Sequence, residues 1–235
     1  MAVFSHADFA DHEGVYFASD PESKLRAIIA VHSTVRGPAA GGTRFWRYDS
    51  DEAALTDALR LSKAMSYKNA AADLPLGGGK AVLIYPEGEF DRVSLFEAYG
   101  RAIDRLNGTY ITAEDVGVSP SDMDIISSQT KHVAGLSKGK AASGDPSPVT
   151  AEGVFRGLLA GAKHLWGSED LSGKTIAVQG LGHVGYALSE KLHKSGARLI
   201  VADINNEVLD KAESELNASR VEIGEIHAQE ADIFC

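Results

Sequence analysis

The chain has 235 residues, room for one large domain or two modest ones. Its 44% hydrophobic and 24% charged residues match folded globular proteins rather than disordered ones. With 23 basic and 33 acidic residues the formal charge is −10, which disfavours general binding to nucleic acid or to anionic membranes. A single cysteine, Cys235, excludes an internal disulfide and a cysteine-rich zinc site, and no metal site is expected.

The amino terminus, Met1 to Asp8, lacks a basic segment followed by an apolar stretch, so it does not read as a secretory signal. The longest apolar runs, such as Ala27 to Val31, are too short to cross a bilayer. A cytoplasmic location is the default expectation. Val15 to Ala18 and Leu25 to His32 read as strands, followed by a turn-rich segment from Arg36 to Gly42. A helix is predicted from about Asp51 to Ala70, with Asp49 and Glu52 placed to cap its start. Lys80 to Tyr85 is strand-like, Asp91 to Leu106 helical, and Thr109 to Ala113 strand-like again. Ser119-Pro120 then opens another helix, with serine as cap and proline in its first turn.

A domain boundary is predicted in the turn-forming run Ser143 to Pro148, giving domains over 1–143 and 144–235, and a helical pattern follows from Thr150 to His164. Strand and helix alternate on both sides of this boundary, which predicts an α/β fold. The last residues, Ala231 to Cys235, read as a strand entering a core, so the second domain is expected to continue past Cys235.

The clearest chemical signal lies in this second half. A buried-strand run, Lys174 to Gln179, leads into Gly180-Leu181-Gly182-His183-Val184-Gly185, then a helical stretch from Tyr186 to Lys194 that Gly196 is placed to stop. A second strand, Arg198 to Ala202, ends at Asp203. In this setting Gly180 permits a tight turn, Gly182 lets backbone approach a pyrophosphate, and Gly185 lets helix and strand pack closely. The helix amino terminus offers unpaired amides to the phosphates. Asp203 would bind the adenosine ribose hydroxyls and repel a 2′-phosphate, which favours NAD over NADP. The alternative is a glycine turn without a cofactor.

Three features of the first half carry weaker signals. On the helix from Asp51, Ala54, Ala58, Leu61 and Met65 form a core-facing stripe that continues to Lys68. A lysine there is desolvated, with a lowered pKa, or else snorkels out at the helix end. Lys63 falls off the stripe and reads as a solvated residue. Lys80 follows three glycines, Gly77 to Gly79, which suggest close approach of backbone to a ligand, a strained turn or a flexible loop. The run is not a phosphate-binding P-loop, because Leu74 stands at the earlier glycine position, Ala81 replaces the serine or threonine, and a strand follows. Finally, Glu114-Asp115 comes directly after a strand, where carboxylates serve either a ligand site or a turn.

Taken together, Gly37 to Arg44, Met65 to Ala70, Gly77 to Val82, Thr112 to Gly117, Ser143 to Thr150 and the Gly180 motif resemble the amino-acid dehydrogenase family that acts on glutamate, leucine, phenylalanine and valine. They occur in family order over most of the chain and look nearest to its leucine branch. The resemblance implies an N-terminal substrate domain with a mixed sheet and a Rossmann-like dinucleotide-binding domain. It implies that Lys68 holds the substrate carboxylate, that Gly41 and Gly42 shape that pocket, and that Lys80 is the general base that activates water. Asp115 would hold the substrate amino group. Thr150 would sit by the nicotinamide, and Arg44 is expected to reach the cofactor. A neighbouring ammonium and burial would together keep Lys80 neutral near working pH.

The implied reaction is hydride transfer from the α-carbon of an L-amino acid to NAD, then hydrolysis of the imine to a 2-oxo acid and ammonia. Cleft closure would exclude water during the transfer. Ala40, Ala113 and Met65 are implied to border the side-chain pocket. Leucine dehydrogenases carry a bulkier leucine where Ala40 stands, so phenylalanine or tryptophan remains open beside an aliphatic substrate. Family members usually assemble from dimers, so a homo-oligomer is expected. Two other readings stand beside this one. A silent dinucleotide-binding or interaction protein would not need these lysines. An opine-type or 2-hydroxy-acid dehydrogenase would want a catalytic histidine beside a carboxylate, whereas His164, His183 and His193 look structural or incidental.

Overall fold

A computed structural model of the chain describes residues 3–137 and 146–235. The predicted boundary run therefore falls in part, at Ser143, Gly144 and Asp145, outside the described residues. Contacts divide the chain into two units, Met1–Gly144 and Asp145–Cys235.

Unit 1 is built on the apolar run that forms β2 (Leu25–Ser33). Its residues point alternately to two separate cores, as a strand covered on both faces requires. Ala27, Ile29 and Val31 face one core, and Ile28 and Ala30 the other. Around it the sheet order is β1-β2-β4-β3-β5, with β1 at Gly14–Asp20, β3 at Ala39–Trp46, β4 at Gly77–Ile84 and β5 at Tyr110–Glu114. β1, β2 and β4 pair antiparallel, whereas β3 runs parallel to both β4 and β5, so the sheet is mixed. Helix α1 (Asp51–Ala71) covers one face through Ala54, Leu55, Ala58 and Leu59. Helices α2 (Arg92–Asp104) and α3 (Pro120–Ser127) cover the other through Leu95, Phe96, Tyr99, Met123 and Ile126.

Several local expectations are corrected here. The cap of α1 is Ser50, whose hydroxyl accepts from the Ala53 amide, not Asp49 or Glu52. The cap of α3 is Ser119, as expected, within a capping box closed by Asp122. The segment read as a turn from Arg36 to Gly42 turns only before Ala39, with Gly37 at φ 132°, and from Ala39 onward it is an interior strand. Gly77, Gly78 and Gly79 are likewise no turn or flexible loop but the buried start of β4. Packing explains their identity. A β-carbon would lie 1.9 Å from the Ser33 carbonyl oxygen at Gly77, 2.2 Å from the Ser66 amide nitrogen at Gly78, and 2.6 Å from the Tyr110 ring at Gly79.

Unit 2 carries a parallel sheet in the order β8-β7-β6-β9, formed by β6 (Thr175–Gln179), β7 (Arg198–Ala202) and the two-residue strands β8 (Ser219–Arg220) and β9 (Ile233–Phe234). Helices α4 (Ser147–Trp166), α5 (His183–Lys194) and α6 (Asn206–Leu216) bury Ala151, Ala162, Leu188, Leu192, Leu209 and Ala212 against Ile176, Val178, Leu199 and Val201. This is a Rossmann-like βαβ arrangement. None of the described helices is long and apolar enough to cross a membrane.

Candidate active site

The site in unit 1 is assembled from β3, β4, α1 and the turn after β5. Lys80, on β4, is buried, and its ammonium donates to Oδ2 of Asp115. The turn that presents Asp115 is fastened to β3 and α3. The Phe45 amide donates to the Val116 carbonyl (2.9 Å), and Gly117 (φ 82°) lies so close that a β-carbon would fall 2.0 Å from the Phe45 carbonyl oxygen. Arg92 donates to the Gly117 carbonyl and to both oxygens of the buried Asp122. The turn is thus held by distant partners as well as by its own Val118 amide, which donates to the Asp115 carbonyl (3.0 Å).

Burial drives the Lys80 amine below its ordinary range. The Asp115 carboxylate opposes this, and the Arg44 guanidinium reinforces it. Burial alone would raise Asp115, but the charge and hydrogen bond of Lys80, with the Val116 amide and Arg44, together lower it. The pair therefore joins a carboxylate to an amine with a weakened hold on its proton, a suitable combination for moving protons. Of the two expected causes, a neighbouring ammonium and burial, burial is the larger, and the cation that reinforces it is Arg44.

Gly42 is required by the close packing beside the amine. A β-carbon there would stand 2.7 Å from Cβ of Asp115 and 3.3 Å from Nζ of Lys80. At Gly41 it would meet the Gly79 carbonyl oxygen at 1.8 Å and Met65 at 3.2 Å. Ala113 pairs with Gly42 across the sheet, and Ala40, Ala113 and Met65 are all half-buried. The Tyr110 hydroxyl donates to the Gly41 carbonyl (2.7 Å), and Nδ2 of Asn69 to the Gly77 carbonyl (2.6 Å), which pins these strands from either side.

Lys68 is exposed rather than buried on the core-facing stripe. Its ammonium has no hydrogen bond or ion pair among the described residues, so it is a cation open to an incoming anion. Lys63 is half-buried rather than fully solvated. Arg44 donates Nη1 to Asp57 (2.9 Å) and Nε to Asp115 (3.3 Å). Tyr48 donates to the same Asp57 oxygen (2.6 Å). Asp57 and Tyr48 were not foreseen as site residues, since nothing in the spacing of one helix and one loop couples them to Lys80.

In unit 2 the glycine loop joins β6 to α5. Gly180 takes φ 92°, and a β-carbon at Gly185 would lie 1.9 Å from the Gly180 carbonyl oxygen. At Gly182, the N-cap of α5, a β-carbon would meet nothing within 4 Å, and no side chain caps the helix. Asp203 accepts from the Leu181 amide at one oxygen (2.5 Å) and from the Asn205 amide at the other (2.8 Å), which holds the loop against the end of β7. Leu181, Gly182, His183 and Asp203 line a groove of about 550 Å³. Leu181 is buried and Val184 packs on the core below the loop. Thr150 is exposed on the first turn of α4, its hydroxyl donating to the Pro146 carbonyl (3.0 Å). The open backbone at Gly182 beside a carboxylate fits the pyrophosphate and ribose of a dinucleotide. Among the described residues no cluster could hold a metal ion.

Comparison with known proteins agrees with this architecture. The chain is 53% identical over 234 residues to leucine dehydrogenase of Bacillus cereus and 52% identical to that of Geobacillus stearothermophilus, covering 100% of this chain and 64% of each relative. It is 44% identical to L-tryptophan dehydrogenase of Nostoc punctiforme, of which it covers 65%. The chain thus spans slightly less than two thirds of the length of these relatives. The crystal structure of the Nostoc punctiforme enzyme superimposes with a TM-score of 0.71 at 42% identity, covering 96% of this chain and 63% of that one. A hetero-hexameric glutamate dehydrogenase from Thermus thermophilus shares the fold (TM-score 0.76, 23% identity, 97% of this chain and 62% of that one). Residues 12–132 match the model of the Glu/Leu/Phe/Val dehydrogenase dimerisation domain, and the chain belongs to that dehydrogenase family.

Proposed function

We propose that the full-length protein is an NAD-dependent L-amino-acid dehydrogenase that converts an aliphatic, leucine- or valine-type amino acid to its 2-oxo acid and ammonia. The observation that carries this reading is the burial of the Lys80 amine against Asp115, beside Gly41 and Gly42, where a β-carbon has no place. Lys68 binds the substrate carboxylate through its unpaired ammonium. Asp115 accepts a hydrogen bond from the substrate amino group and moves a proton to or from it. NAD, if bound by unit 2, would supply the hydride acceptor for the α-carbon. Lys80, as the free amine, then takes a proton from the water that attacks the imine carbon, and Asp115 helps return a proton to the departing ammonia.

The amides of the α5 amino terminus, open at Gly182, suit the pyrophosphate, and Asp203 suits the adenosine ribose. Arg44 and Thr150 stay as proposed neighbours of the cofactor on family resemblance. The small side chain at Ala40 favours, as a second reading, a pocket wide enough for phenylalanine or tryptophan. On the same resemblance the protein is a homo-oligomer built from dimers, and a cytoplasmic location stays the default expectation.

The test is NADH formation by the full-length protein with a panel of L-amino acids, NAD being compared with NADP. Lys80→Ala should lower turnover by roughly 10²- to 10⁴-fold while leaving NAD affinity intact. Loss of NAD binding in that variant, or turnover that is preserved, refutes the assignment.

A further inference from the structure

The Lys80–Asp115 pair is one end of a longer chain of charges. Lys80 Nζ and Arg44 Nε donate to the same oxygen, Oδ2 of Asp115. At its other end the Arg44 guanidinium donates Nη1 to Oδ2 of Asp57 (2.9 Å), and that oxygen also accepts from the Tyr48 hydroxyl (2.6 Å). The links come from β4, the turn after β5, β3, α1 and the segment between β3 and α1, so they lock together only in the folded unit. Arg44, Asp57 and Asp115 are each only about a quarter exposed, and Lys80 far less.

Two donors compete for one carboxylate oxygen. The strength of the Asp115–Lys80 interaction therefore depends on how firmly Arg44 is held away by Asp57. A guanidinium suits this role because it remains charged at any working pH and its fork reaches two carboxylates at once. The charged groups facing Lys80 are Asp115, Arg44 and, more remotely, Asp57.

We propose that Arg44, tethered by Asp57 and Tyr48, is a positioning residue that shares the Asp115 carboxylate with Lys80 and so sets how readily Lys80 releases its proton. The inference rests on Lys80 acting as the base in the reaction above, and it makes two predictions of opposite sign. Arg44→Met leaves Asp115 to Lys80 alone and removes a like charge, so the ammonium form gains. Asp57→Asn frees Arg44 to press on Asp115 and removes an attraction for Lys80, so the ammonium form loses.

Two measurements on the full-length protein read this out. The acid limb of the kcat/KM profile should move up by about one pH unit in Arg44→Met and down in Asp57→Asn. Independently of turnover, the pH at which acetic anhydride half-modifies Lys80, followed by mass spectrometry, should move in the same two directions, because only the neutral amine reacts. Arg44→Lys, which cannot span both carboxylates, should fall between wild type and Arg44→Met, and it replaces that variant if Arg44→Met fails to fold. Limbs and labelling midpoints that stay put, or that move in one direction for both substitutions, overturn the proposal. Labelling shifts of opposite sign in a protein that oxidises no amino acid would uphold the coupling while sinking the functional reading.

Discussion

Replacing Gly78 by alanine tests the packing that brings α1 onto the sheet. The new β-carbon would lie 2.2 Å from both the Ser66 amide nitrogen and its hydroxyl, and 2.6 Å from the Ser62 carbonyl oxygen. Ordinary contact begins near 3.4 Å, so the α1 backbone must retreat by roughly 1.2 Å. The sheet cannot yield in its place, since β4 is paired on both edges, with β2 and β3. The retreat loosens Ala54, Leu55, Ala58 and Leu59 from Ile28, Ala30 and Val82, and stretches the Asn69 bond to the Gly77 carbonyl. Overpacking of this kind against rigid backbone costs about 3 kcal/mol, and at roughly 3 °C per kcal/mol for a unit of this size the melting temperature should fall about 10 °C. Thermal and urea unfolding of the full-length variant would measure it. A wild-type midpoint would refute the reasoning, because it would mean that α1 does not approach the β4 backbone as closely as drawn.

Two further predictions use the same coordinates. Lys68→Ala should raise the Michaelis constant for the amino acid far more than it lowers turnover in steady-state assays, since its ammonium is proposed to bind substrate rather than to move protons. Gly157→Ala, at an exposed site inside α4 where a β-carbon meets nothing within 4 Å, should raise unfolding stability by about 0.5–1 kcal/mol in the same urea experiment, by removing the cost of glycine in a helix.

Local chemistry made much of the fold legible. The apolar runs at Leu25 and Lys174 announced strands, Ser119-Pro120 announced a cap, and the Gly180 motif with Asp203 announced the βαβ turn, because each signal depends on neighbours close in sequence. Lys68 shows where that logic stops. Counting apolar residues along α1 led from Ala54 through Met65 to Lys68, but the face buried toward the helix end runs through Leu59, Ser62 and Asn69. Ser62 and Asn69 are polar, and they are tolerated inside because they bond His12 and the Gly77 carbonyl, partners that a hydrophobic pattern does not count.

Periodic or capped elements, together with the glycine loop of unit 2, follow from residues that are neighbours along the chain. That Ala39–Trp46 is an interior strand, that three glycines begin another, and that Lys80, Asp115, Arg44 and Asp57 meet follows from long-range packing. The physical reason is that small residues in a strand record the closeness of a distant backbone. An ion pair, likewise, is made by whichever charges the pairing of β3, β4 and β5 brings within reach, however far apart they lie along the chain.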